Sequence, residues 1–217
     1  MKRHSARAVR IGVAVAAGLA GAALAWRYAS RRWSLPCPAA LGWVLDLQFR
    51  ELVLPTSRVL DCIGLRPGQR VLEVGPGTGY MSVPAARRLG ETGRLVALEL
   101  QPEMARRARE RLAAHGITNA EVREGDVLTA SLEPQAYDVA FLVTVLGEIR
   151  DRDLAIARLR DALKPGGILS FTEIVGDPHY QRYDDLRRRC LAAGLEPAGR
   201  CGSWLAYTAN FRRPVAG

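Results

Sequence analysis

Val71-Leu72-Glu73-Val74-Gly75-Pro76-Gly77-Thr78-Gly79-Tyr80 decides the fold. An apolar run of strand length passes directly into three glycines at alternate positions and then into a helical pattern. Glycine removes the Cβ that keeps a backbone away from a ligand, and it permits turn dihedrals closed to other residues. Working outward, strand-like segments at 70–75, 94–99, 121–123, 137–143 and 168–173 alternate with helix-like segments at 81–89, 102–115, 151–163 and 180–193. A further strand is expected at 204–211. Strands separated by helices of 10–15 residues imply an α/β fold whose mostly parallel sheet is covered on both faces. In such sheets ligands bind at the carboxyl ends of the strands, where strand order reverses.

The positions that carry chemistry fall at those ends. Gly75, Gly77 and Gly79 give G-x-G-x-G, not the G-x-G-x-x-G of a dinucleotide loop. Glu73 stands two residues before the first glycine. A carboxylate there suits a ligand bearing sulfonium and ammonium groups better than a pyrophosphate. Glu99 ends the second strand 20 residues after Gly79, where a carboxylate can accept both ribose hydroxyls of an adenosine. Gly125-Asp126 follows the third strand, where Asp126 can accept from an adenine exocyclic amine or cap a turn.

Glu73–Tyr80, Leu98-Glu99, Gly125-Asp126, Tyr137-Asp138 and Leu163-Lys164-Pro165-Gly166-Gly167 together resemble the class I S-adenosylmethionine-dependent methyltransferases. The likeness spans residues 56–211 and is greatest to the group that holds the ubiquinone/menaquinone C-methyltransferases and the type 11 domains. It implies a Rossmann-like three-layer sandwich with a seven-stranded sheet, the last strand antiparallel, and S-adenosylmethionine as cofactor. It also implies that Gly75, Gly77 and Gly79 line the methionine part, with Glu99 on the ribose and Asp126 on the adenine. Methyl transfer needs a base only when the acceptor must first lose a proton. Glu148 is the candidate catalytic residue, and His179, Tyr180, Tyr183 and Tyr207 follow it. Family members often carry a histidine where this chain has Gly147. Two other functions fit the same fold: a nicotinamide-dependent oxidoreductase, or a non-catalytic membrane-tethered module that binds S-adenosylmethionine.

Charge and cysteines narrow the partners. Of the 217 residues, 48% are hydrophobic and 24% charged, as in an ordinary folded domain. The net charge is +9, but Lys2, Arg3, Arg7, Arg10, Arg27, Arg31 and Arg32 precede the first acid, Asp46, and the remainder is nearly balanced. That distribution argues against nucleic acid and for anionic lipid headgroups. Between those cations, residues 11–26 carry no charge. As a helix they reach roughly 24 Å, short of the ~30 Å hydrocarbon core, with Trp26 and Tyr28 suited to the interface. The preferred reading is a single membrane anchor over residues 1–33, with the catalytic domain in the cytoplasm. A cleaved secretory signal and a helix lying in the interface are the alternatives. Residues 34–55 read as a linker and an amphipathic helix that packs on the core or lids the site, and residues 56–217 as the domain itself. The acceptor is expected to be small and hydrophobic or membrane-associated. No metal site is expected. The four cysteines, Cys37, Cys62, Cys190 and Cys201, lack metal or redox spacing and read as reduced thiols, with a Cys190–Cys201 bridge the one left open.

Overall fold

The computed structural model describes residues 55–215, and the expected anchor and amphipathic helix lie outside them. Helix α1 (Thr56–Ile63) buries Thr56, Val59, Leu60 and Ile63, the i, i+3, i+4, i+7 set of one helical face. It ends at Gly64, whose φ of 80° is left-handed and whose N–H caps the Leu60 and Asp61 carbonyls. Then follow β1 (Arg70–Val74), α2 (Ser82–Leu89), β2 (Arg94–Glu99), α3 (Pro102–Ala114) and β3 (Ala120–Glu124). Next come β4 (Tyr137–Val143), a 3-10 turn (Leu146–Glu148), α4 (Arg152–Ala162) and β5 (Leu163–Ile174). The chain closes with α5 (Tyr183–Ala192), β6 (Glu196–Gly202) and β7 (Ala206–Arg212). Pro102 opens α3, where its missing N–H costs nothing. The Asp151 side chain caps α4 by accepting the Leu154 N–H at 2.9 Å.

Among the described residues the sheet runs β3-β2-β1-β4-β5-β7-β6. The first five strands are parallel, and β7 runs antiparallel to both its neighbours. Alternate residues feed opposite layers. Leu72, Val74, Ala140, Leu142 and Phe171 join one apolar cluster, and Val71, Val139, Phe141 and Val143 join the other. Burying each of the largest of these side chains stabilises the fold by about 1.5–3 kcal/mol. Because β1 pairs with β2 on one side and β4 on the other, strand order reverses there and a crevice opens beyond their carboxyl ends.

Two motifs work at the opposite end of the sheet. Asp138 accepts the Arg70 N–H at 2.8 Å and pairs with Lys164 at 2.6 Å, tying β1, β4 and β5 together. The Lys164–Gly167 stretch is a bulge inside β5: Leu163 pairs with Tyr137, then Ile168 with Val139. The sequence places it before the strand.

Three further differences have physical causes. Strand β6 carries Pro197, Gly199 and Gly202 without apolar alternation; it exists as an exposed edge because β7 offers it a ladder. Helix α5 starts at Tyr183, since residues 180–182 belong to the loop before it. The expectation of reduced thiols is corrected: Cys62 and Cys201 form a disulfide, and Cys190 is free and buried. Helix α1 lies on β7, where Asn210 Nδ2 donates to the Cys62 carbonyl at 2.7 Å, and β6 brings Cys201 alongside. The partners are 139 residues apart in sequence, so no local spacing announces them.

Candidate active site

A cavity of about 520 Å³ occupies the crevice, within the range of small-molecule sites. The glycine loop forms its floor. Gly75 has φ 69°, and a Cβ on it would lie 2.6 Å from Val145 Cγ2, so only glycine lets the segment after β4 close over the end of β1. Gly77, at φ 58°, also lines the cavity. Gly79 is outside the cavity wall: a Cβ there would meet Ala108 of α3 at 3.2 Å. Its work is helix packing.

Glu99, at the end of β2, is 4% exposed. Its Oε2 accepts the Gly77 N–H and its Oε1 the Gln101 N–H, each at 2.9 Å. Burial raises its pKa, and the backbone N–H groups of Gln101, Gly77 and Leu100 oppose that rise. Each oxygen keeps acceptor capacity for a ligand hydroxyl. Glu73 is buried and accepts the Ser82 hydroxyl at 2.6 Å. Burial pushes its carboxyl up to about 7, with the Ser82 bond opposing and the Glu99 charge adding. Asp126 lines the far end, where its Oδ1 accepts the Leu128 N–H at 2.9 Å.

The opposite wall comes from two segments that leave the sheet together. After β4 come Thr144, Val145, Glu148, Ile149 and Arg150; after β5 come Asp177, Pro178 and His179. Thr144 has φ 57°, a left-handed conformation that a β-branched residue adopts only under constraint; its N–H bonds the Thr172 carbonyl at 2.8 Å. Glu148 and His179, both singled out by sequence, meet at this wall. Thr144, Arg150 and Asp177 were not singled out, and no local pattern marks them. The tyrosine candidates are corrected. Tyr180 and Tyr183 pack edge-on against Tyr207 at 6.2 and 5.9 Å, outside the cavity, with Arg200 over the Tyr183 and Tyr207 rings.

The lining is acidic in a basic chain. Glu73, Glu99, Asp126, Glu148 and Asp177 face it, with Arg150 the arginine among the described lining residues. Such a cavity favours a ligand with positive charge. It disfavours a pyrophosphate, because the Gly77 N–H that an anion would seek is already given to Glu99. Among the described residues no His, Cys, Asp and Glu group could hold a metal.

With fold and cavity in this form, residues 65–196 match the family model for a methyltransferase domain, and the chain belongs to that family. It is 32% identical over 129 residues to the ubiquinone/menaquinone biosynthesis C-methyltransferase UbiE of Vibrio vulnificus strain YJ016, covering 58% of this chain and 50% of that protein. The chain thus spans about half the length of that relative. Among solved structures, a SAM-dependent methyltransferase from Aquifex aeolicus superposes with a TM-score of 0.77 at 20% identity, over 82% of this chain and 99% of that one. The [4+2]-cyclase SpnF superposes at 0.67 with 19% identity, over 74% and 80%. The fold alone therefore does not fix the reaction.

Proposed function

We propose that this chain transfers a methyl group from S-adenosylmethionine to a small hydrophobic acceptor, a quinone precursor or a lipid. The observation that carries the cofactor is the acid-lined cavity on a glycine loop that Glu99 already braces. S-adenosylmethionine supplies a methyl carbon activated by its positive sulfur. Glu99 holds the ribose hydroxyls while fixing Gly77, and Asp126 accepts from the adenine amine. Gly75 and Gly77 let the backbone approach the methionine part. Glu73 stands beneath them as a counter-charge. Position and exclusion of water account for most of the acceleration. Glu148, on the same cavity wall as His179, takes a proton from a phenolic or quinol acceptor.

The acceptor class rests on the C-methyltransferase activity for which the UbiE relative is named and on the apolar, cation-flanked residues 11–26, which would hold the domain at a membrane. No helix among the described residues is long and apolar enough to cross one. Cofactor supply favours a cytoplasmic domain. The Cys62–Cys201 bridge favours the opposite face, because disulfides persist in oxidising compartments. Acid-trapped cells followed by alkylation separate the two: a reduced pair places the domain in the cytoplasm.

The test of function is methyl transfer by the full chain in detergent, from labelled S-adenosylmethionine to a panel of short-chain quinols and membrane lipid extracts. Label in the apolar fraction supports the reading. A folded protein that binds the cofactor yet labels nothing in the panel would overturn the acceptor class.

A further inference from the structure

The acceptor wall is held from behind by groups that do not themselves face the cavity. Glu173, at the end of β5, is 2% exposed, and its Oε2 accepts the Gln181 N–H at 3.0 Å. The Gln181 side-chain amide donates to the His179 carbonyl at 2.6 Å. The Gln181 carbonyl accepts the Tyr207 hydroxyl of β7 at 2.7 Å. One residue is thus pinned at its N–H, its carbonyl and its side chain, and what it holds in place is His179.

The same segment is locked against the turn that bears Glu148. A Cβ on Gly147 would fall on the His179 carbonyl oxygen and within 2.5 Å of the His179 Cβ. The Gly147 carbonyl in turn accepts from Arg152 at 2.7 Å. The segments after β4 and β5 therefore meet backbone to backbone, and a shift in one moves the other.

We propose that Glu173 is a positioning residue for the acceptor: through Gln181 it fixes residues 177–181 so that His179 and the Glu148 turn form one rigid wall. The inference rests on the methyl-transfer reading for its kinetic consequence, but not for its structural one. A carboxyl buried at a strand end for packing alone would be replaced by an apolar side chain at lower cost. Burial pushes this carboxyl up to about 8, so near neutral pH it is mostly uncharged and an amide can stand in for it. That predicts rescue by glutamine and failure by alanine.

The experiment uses the full chain in detergent and the variants Glu173→Ala, Glu173→Gln and Gln181→Ala. Three quantities are read: affinity for S-adenosylhomocysteine, apparent KM for a short-chain quinol, and the imidazole resonance of His179, one of three histidines. Glu173→Ala should raise the quinol KM about tenfold, leave S-adenosylhomocysteine affinity within about twofold, and shift the His179 resonance. Glu173→Gln should restore both KM and resonance. If Glu173→Ala fails to fold, as loss of S-adenosylhomocysteine binding would show, Gln181→Ala should reproduce the KM and resonance changes. If the wild type methylates no quinol, the quinol half of the acceptor reading fails and the His179 resonance alone decides this one. A resonance unmoved by the folded alanine variants overturns the proposal.

Discussion

The Glu99 carboxylate at the end of β2 accepts the backbone N–H of Gly77 at 2.9 Å, so the residue expected on the ribose also shapes the loop expected to line the methionine part. Replacing Glu99 by alanine removes the expected ligand acceptor and leaves the Gly77 N–H without its partner at the part-buried cavity wall. The two losses act on one binding event. Glu99→Ala should weaken S-adenosylhomocysteine binding about 100-fold, roughly 3 kcal/mol, for a charge-assisted pair of bonds. Calorimetric titration checks this, and unchanged affinity would remove Glu99 from the site.

Glu73, held near 7 by burial, should lose its proton when a cationic ligand arrives. At pH 7 roughly half a proton leaves per ligand bound, since a nearby positive charge favours the ionised form. Titrations in two buffers of different ionisation enthalpy read the number directly. Glu73→Gln should abolish the release, whereas proton uptake by the wild type would contradict the assignment.

Stability should fall as pH rises across the neutral range. Glu73 and Glu173 have folded pKa values of about 7 and about 8, above the ordinary 4.5. Their contribution is present in full below 4.5 and is lost as pH rises through 7 and 8, because the folded state holds the extra protons. The half-exposed carboxylates Glu103 and Glu121, held near 2 by hydrogen bonds from neighbouring arginines, act in the opposite sense and only below 4.5. Urea midpoints at pH 5, 6.5 and 8 should therefore decline, less steeply for Glu173→Gln. A midpoint that rises with pH would contradict both assignments.

Thr144 carries left-handed backbone strain at the cavity wall. Thr144→Gly should raise stability by about 1 kcal/mol, strain relief outweighing the entropy that glycine adds to the unfolded chain. Thr144→Ala, still strained, should not. Thermal unfolding of the two variants side by side measures the difference, and a glycine variant less stable than alanine would show the conformation to be unstrained.

The sheet was legible because its signals are local. Strand, acid and glycine loop stand within ten residues, and Glu99 ends a strand that its own apolar run defines, while Asp126 follows a short strand in which Val122 alone is buried. What was not legible depends on residues far apart in sequence. In the sequence Gly147 stands out only as the place where family members often carry a histidine, and its reason appears when the His179 backbone is found where a side chain would be. Gly79 looks like the other two glycines, yet it answers to Ala108 on α3. Cys62 finds Cys201 only because α1 lies on β7, and β6 forms only because β7 supplies a partner strand. The candidate tyrosines were drawn by chemistry alone, and packing turned them into a cluster that anchors Gln181.

The central claim is that the acid-lined cavity takes a sulfonium cofactor. Titration of the full chain in detergent with S-adenosylhomocysteine, and in parallel with NADH, tests it most directly. Saturable binding of the first alone, lost in Glu99→Ala, is the predicted result. Binding of NADH in preference, or of neither by a protein shown to be folded, would contradict it.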